Sequence, residues 1–461
     1  MRPLLRRALF SICGVVALLV LFHGLEDWRG ERAWNHWRQD RVASGRGFDV
    51  TQFIPPPVPD ADNFALVPRI ADAIEGRRPL LVLPEGWPSE KVPGWNEAKA
   101  VDLKAYAPAF PGGDIQKGLE SYRDVLDAYV QATKKPGSRI PIHYSRFPDI
   151  EIPSLLGFRA TARMLQLRAL VELRDGKPDA AFEDVSALLA TMRHFEREPV
   201  LLTQMLRLAI ASIVEQPIWE GLQAHAWSAS QVATLESELK GIDLISSMHR
   251  SWEIDQVGMA ALYYRVAQEH FWDWTYYPRG YFNAEKPSRL TSLVRHLLIP
   301  RGWILQNIVR SQQAVDESII AAMDPKDHRV HPHRQDQAIA RLKGHLQGPY
   351  TFLLGDLLPA FSFQNVRTAW RQATLNETVT ACELEQYRMK KGAYPSKLSD
   401  LGTSLPGDVI GGGPLHYRRT DDGGYLLYSV GWDGLDEGGV AGKGEDAIRQ
   451  GDWVWRMTGK P

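Results

Sequence analysis

Residues 169–185 read ALVELRDGKPDAAFEDV, and this stretch sets the expectation for most of the fold. Just upstream and within it, Ala160, Met164, Leu167, Ala169, Leu170 and Leu173 recur at helical spacing, which predicts one buried helix face. Asp175-Gly176 is a stop signal, because glycine accepts the left-handed backbone that ends a helix. Pro178 carries the fixed φ that suits a first helical turn. The segment therefore predicts helix, tight turn, helix. Similar periodicity over 200–222, 228–240 and 244–270 makes residues 118–362 a helical region, and the chain as a whole mainly α.

Ala180 and Ala181 are small enough to let the two helices approach closely, and in this the segment resembles a single tetratricopeptide hairpin, about 34 residues long. No second copy follows at that period. An irregular domain of helical hairpins is the expectation, not a solenoid with a peptide groove.

At 461 residues, 44% apolar and 24% charged, the chain is long enough for two or three domains and apolar enough to bury their cores. The formal net charge of −1 supplies no basic field for a phosphate backbone, so nucleic acid is not an expected partner. Only two cysteines are present, Cys13 and Cys382, which excludes a disulfide framework and a four-cysteine metal site.

Toward the N-terminus, Arg2, Arg6 and Arg7 precede an apolar run from Ala8 to Phe22 that extends to Leu25. No small-x-small site follows it, which favours an uncleaved membrane anchor at 1–25 over a cleaved signal or a buried core helix. With those arginines on the cytoplasmic side, a single pass through a bacterial inner membrane would leave the bulk of the chain in the periplasm. Residues 26–117 then read as a stalk and a Pro/Trp-rich irregular segment: Trp28, Trp34 and Trp37 suit an interfacial zone, and Pro55-Pro56-Pro57 a rigid spacer.

Two clusters invite chemistry. Tyr263-Tyr264 and the run holding Trp272, Trp274 and Tyr276 would offer a stacking surface for sugar or peptide, or else a packing seam. Asp324, Asp327, His328, His331 and His333 are competent metal ligands, but their spacing matches no helix-borne pair, and a solvated polar loop is the plainer reading. No nucleophile elbow, phosphate loop or dinucleotide fingerprint occurs, so no catalytic residue is assigned.

The last 99 residues differ in kind. A long amphipathic helix is predicted from about Phe363 to Lys391, stopped at Gly392 and followed by 15 glycines among residues 402–461. Short strands fit 415–419, 424–430 and 453–457, giving a small α+β unit over 363–461. Tyr387 through Gly392, Tyr394 and Pro395 make a Tyr-x-x-x-x-Gly-x-Tyr-Pro pattern. It continues with Leu405-Pro406-Gly407-Asp408, then Gly412-Gly413-Pro414-Leu415-His416-Tyr417, then Tyr428-Ser429-Val430-Gly431-Trp432-Asp433-Gly434.

In that order and spacing the region resembles the globular domain of the major pseudopilin of type II secretion. The resemblance implies a calcium site in the last loop, with Asp433, Asp436, Glu437 and Asp446 as donors, and Asp452 as an exchangeable choice for Asp446. A hard cation wants several oxygens, and glycines let carbonyls turn inward. A metal-free acidic turn is the alternative. The leader and the Gly-Phe-x-x-x-Glu start of that family are missing before Phe363, so assembly into a pseudopilus is not expected. The functional expectation is an envelope scaffold with a protein partner. A periplasmic hydrolase or carbohydrate-active protein using residues 263–285, with Asp273 and Glu285 as acids, is the second reading.

Overall fold

The computed structural model describes residues 2–88, 98–144, 154–268, 299–344, 348–444 and 446–459. The chain is mainly helical, with one long apolar helix at the N-terminus and a small sheet at the C-terminus. In chain order the helices are α1 (Arg2–Ala43), α2 (Pro68–Ile74), α3 (Ile115–Glu120), α4 (Arg123–Thr133), α5 (Leu156–Arg174) and α6 (Pro178–His194). They continue with α7 (Leu201–Gln223), α8 (Ala229–Lys240), α9 (Leu244–Gln268), α10 (Arg301–Val315), α11 (Pro332–Lys343) and α12 (Phe352–Lys391). The strands are β1 (Met323–Asp324), β2 (Arg329–Val330), β3 (His416–Arg419), β4 (Tyr425–Ser429) and β5 (Trp453–Met457).

The Asp175–Pro178 turn forms as its chemistry dictates. Gly176 takes φ +71° between α5 and α6, and Pro178 is the first residue of α6. The buried faces of both helices are apolar, and the one charge sunk between them, Asp184, accepts two bonds from Arg168 at 2.8 and 2.6 Å. A paired carboxylate is tolerated there because the guanidinium fork satisfies both oxygens.

α1 has two halves. Its most apolar window is 0% buried, so this helix is long and apolar enough to cross a membrane, and the buried-core alternative falls. From Glu26 onward the same helix is packed: Glu26, Gly30, Trp34, Trp37 and Arg41 form a buried stripe at helical spacing. That stripe rests on α10, where a Cβ added to Gly302 would lie 1.8 Å from the Glu26 carbonyl oxygen. Two backbones meet there directly, which only glycine on each side permits. The stretch expected to be a free stalk is therefore part of the body, because its tryptophans have a core to enter. Trp34 stacks on Tyr264 at 4.8 Å, and only Trp28 stays exposed.

One apolar core runs without a break from Phe53 to Met457. A smaller cluster of Trp34, Trp37, Ala260, Ile304, Leu305 and Ile308 joins α1 to α9 and α10. The C-terminal sheet belongs to the main core: Tyr425, Leu427, Trp453 and Trp455 pack in the same cluster as α5 to α7. Its strands run antiparallel in the order β3-β4-β5, with Tyr417 opposite Leu427 and Leu427 opposite Trp455. Every residue of β4 is buried, since strands flank it and α12 lies behind it.

Side-chain bonds sew this sheet to the helices. Trp219 on α7 donates to the Arg456 carbonyl at 2.9 Å, and Trp432 donates to Asp336 on α11 at 3.1 Å. α12 itself begins at Phe352, earlier than the predicted Phe363, and carries Pro359 within its first turns. It ends at Gly392, with φ +82°, as its stop signal requires.

Candidate functional site

Two acidic centres lie on the C-terminal sheet, one at its surface and one beneath it. The surface centre is the loop after β4. Gly431 turns the chain there with φ +67° and lies so close to the next arm that a Cβ would sit 2.1 Å from the Gly451 carbonyl oxygen. Asp433 fastens that approach, accepting from the Leu435 amide at 3.2 Å and from the Gly451 amide at 2.8 Å. Asp436 accepts from the Tyr428 hydroxyl at 3.0 Å and the Gly438 amide at 2.9 Å, with His416 at 3.4 Å. The Gly438 amide, then the Tyr428 hydroxyl, hold its carboxyl below the usual range.

Asp452 is the innermost acid of this loop, 1% exposed. One oxygen accepts from the Gly439 and Val440 amides at 2.7 and 3.2 Å, while the other, Oδ1, is buried without a hydrogen-bond partner. Burial raises its pKa. Glu437 stands over it, and desolvation followed by the charges of Asp433 and Asp452 raises that carboxyl too. Asp446 is exposed, and its backbone carbonyl accepts from Arg449 at 2.8 Å.

Of the expected calcium donors, Glu437 feels the charges of Asp433 and Asp452, Asp436 accepts from Tyr428 while its charge acts on Asp452, and Asp446 is exposed. Among the described residues no group of three or more His, Cys, Asp or Glu side chains converges as a ready-made metal site. The fit to a hard cation rests on the unmet Asp452 oxygen and the crowding of Glu437. Asp452 immediately precedes β5, so the strand fixes its position, whereas Asp446 is exposed outside any strand.

The buried centre lies where the sheet meets α7 and α12. Asp408 accepts from the Ile410 and Val430 amides at 2.8 and 3.1 Å and from the Ser429 hydroxyl at 2.7 Å, tying the Leu405–Asp408 turn to the end of β4. Glu215 on α7 accepts from Arg371 on α12 at 2.7 Å, and burial still pushes its carboxyl up to about 7. Glu377, one and a half turns further along α12, is 0% exposed, and neither of its oxygens makes a hydrogen bond. Burial raises its pKa well above the carboxylate range, and the charges of Asp408 and Glu215 add to that. No local pattern in the sequence links these three acids, which lie on α7, on α12 and in the Leu405–Asp408 turn.

The remaining candidates resolve simply. Trp272, Trp274 and Tyr276, with Asp273 and Glu285, lie outside the described residues. Asp324 to Val330 form a two-stranded ribbon, in which Asp324 caps the turn by accepting from the Lys326 and Asp327 amides at 3.0 and 3.2 Å. His328, with φ +51°, points to Asp243 at 3.2 Å. Comparison with known proteins adds no relative: no family model, no curated protein and no solved structure matches the chain.

Proposed function

We propose that the chain is a single-pass envelope protein whose helical body and C-terminal sheet form a rigid interaction scaffold on the outer side of a bacterial inner membrane. The observation that carries this reading is α1: 0% buried over its apolar window, then embedded in the body from Glu26 onward. A helix so arranged transmits the position of the membrane to the body without a hinge. The tetratricopeptide-like α5–α6 pair and the pseudopilin-like sheet are interaction modules by resemblance.

Integral insertion predicts that the full chain stays in the pellet when membranes are washed with alkaline carbonate. Arginines flank the apolar run on both sides, Arg2, Arg6 and Arg7 before it and Arg29, Arg32, Arg38 and Arg41 after it, so orientation needs its own measurement. Lys177→Cys, at an exposed position of the α5–α6 turn, in a Cys13→Ser background should react with a membrane-impermeant maleimide on intact spheroplasts. Labelling only after lysis would reverse the topology and end the periplasmic reading.

The reading extends to calcium at the C-terminal loop, with Asp452, Glu437 and Asp433 as the carboxylates that would hold it. When bound, the ion would supply the charge that relieves the crowded acids and the unmet Asp452 oxygen. At about 10 mM calcium a site of extracellular-module affinity stabilises by about 1.4–2.7 kcal/mol. The full chain should therefore melt higher with calcium, Asp452→Asn should lose that gain, and Asp446→Asn should keep it. An unchanged melting temperature of the unaltered protein would remove calcium from the account. The whole chain is the right object because the sheet shares its core with α5 to α7.

A further inference from the structure

Where α1 passes from exposed to packed, it encloses with α10 a groove of about 630 Å³ lined by Trp28, Arg29, Arg32, His36 and Gln306. The groove continues past His36 into a second hollow of about 240 Å³ that reaches Arg310 and Gln313. Its charge is not internally balanced. Arg29 is paired with Glu26 at 2.8 Å, and Asp40 lies 3.5 Å from His36. Arg32 and Arg310 have no carboxylate partner among the described residues; each lies over a ring, Arg32 at 5.7 Å from Trp28 and Arg310 at 5.1 Å from Tyr350.

The height of this groove is set by the helix. α1 rises about 1.5 Å per residue, so Arg29 and Arg32 stand roughly 6 and 10 Å beyond Leu25, where the apolar run ends. The polar layer of a bilayer is about 5–8 Å thick on each side, and a long arginine side chain reaches back into it. Trp28, 58% exposed, sits at the level that tryptophans favour. Arg32 is the unpaired guanidinium at that level, and Arg310 is drawn toward it over the Tyr350 ring that Arg29 also covers; a planar fork binds phosphate oxygens in pairs.

We infer that the groove between α1 and α10 is a binding site for an anionic phospholipid of the surrounding bilayer, whose headgroup phosphate is held between Arg32 and Arg310 with Trp28 against its glycerol region. The site rests on the single-pass reading above. It seats a lipid against the helix contact that fixes the body to its anchor, so lipid composition would bear directly on how firmly the body is held.

The test uses the full chain in nanodiscs of phosphatidylcholine alone or mixed with phosphatidylglycerol. Phosphatidylglycerol should raise the melting temperature and remain bound, by native mass spectrometry, after transfer to detergent. Arg32→Gln combined with Arg310→Gln should cut that retention about thirtyfold, roughly fivefold for each surface arginine, while the variant still floats with vesicles. Equal behaviour in both lipids, or unchanged retention in the double variant, overturns the site. Inorganic phosphate added to the detergent-solubilised protein should leave the melting temperature unchanged; an equal shift would mean a free-anion site and overturn the lipid assignment. If the unaltered chain fails to float with any vesicle, the anchor reading fails and the lipid site with it, an outcome separate from floating without lipid preference.

Discussion

Gly302→Leu is expected to pull the body away from its anchor and to cost about 3–5 kcal/mol, the range seen when a buried charge is stripped of its partners. The backbone of α1 runs against that of α10 at this point: a Cβ on Gly302 would fall 1.8 Å from the Glu26 carbonyl, and one on Gly30 would fall 2.4 Å from the Gly302 Cα. No rotamer relieves a clash at Cβ, so the helices must separate. Separation breaks more than packing. Glu26, 3% exposed, accepts from Trp303 at 3.0 Å, Gln306 at 3.3 Å and Tyr350 at 3.0 Å, and Asp27 caps α10 through the Gly302 amide at 2.7 Å.

A Glu26 carboxylate left in that seam with Arg29 of its own helix as the one remaining donor is the main cost. Thermal unfolding of the full chain in detergent should show the loss, and hydrogen exchange should rise across α10 before it rises across α5 to α7. Gly24→Leu is the control, because Gly24 has nothing within 4 Å of its Cβ position and lies in the exposed half of the same helix. Equal melting temperatures for the two variants would mean that the α1–α10 contact does not hold the body.

That contact also marks the limit of what the sequence made legible. The α5–α6 turn, the stop at Gly392 and the three C-terminal strands were readable because each depends on neighbours within a few residues: a glycine φ, a proline ring, an alternation. Gly30 and Gly302 were not, since a lone glycine in a helical run has no local signature and its partner is 272 residues away in the chain, by the numbering of the two positions. Trp34 and Trp37 fit an interfacial zone in sequence as well as they fit a core, for the same reason. Their destination, Phe48 and Tyr264, is set by tertiary packing.

α12 continues N-terminal of the predicted Phe363 through Pro359, whose missing N–H removes one bond while Ser362 turns its hydroxyl to the Pro359 carbonyl at 2.9 Å. The acidic loop was half legible. Motif order points to the loop that holds Asp433 and Glu437, but only the fold separates buried Asp452 from exposed Asp446. Glu377 was readable in principle: it lies four residues from Ala373 and Ala381 on the buried stripe of α12, where a carboxylate is an anomaly.

The same anomaly makes Glu377→Gln a stabilising change, and increasingly so as pH rises. In the unfolded chain this glutamate titrates near the ordinary 4.5, while in the folded chain burial, then the charges of Asp408 and Glu215, raise it well above that value. Between the two the folded state keeps a proton that the unfolded state has released. Stability must then fall with rising pH through that window, by about 1.4 kcal/mol per pH unit for one proton. Below the unfolded value both states are protonated and the penalty is gone. Glutamine keeps the shape of the protonated acid and cannot ionise, so it removes this slope.

Denaturant midpoints of the full chain should coincide for the two proteins near pH 4.5 and differ by about 2 kcal/mol by pH 6, with the variant the more stable. Glu215 titrates in the same region, pushed up to about 7 by burial against the pull of Arg371, but it is present in both proteins and contributes little to the difference. Parallel pH curves would mean that Glu377 ionises at no cost, contrary to its burial among Asp408, Glu215 and the end of β4. Hydrogen exchange supplies the location. In the unaltered protein at alkaline pH the amides of Tyr425–Ser429 should exchange faster than those of α5, and in Glu377→Gln the excess should vanish, because the carboxylate that loosens the sheet from α12 is no longer there.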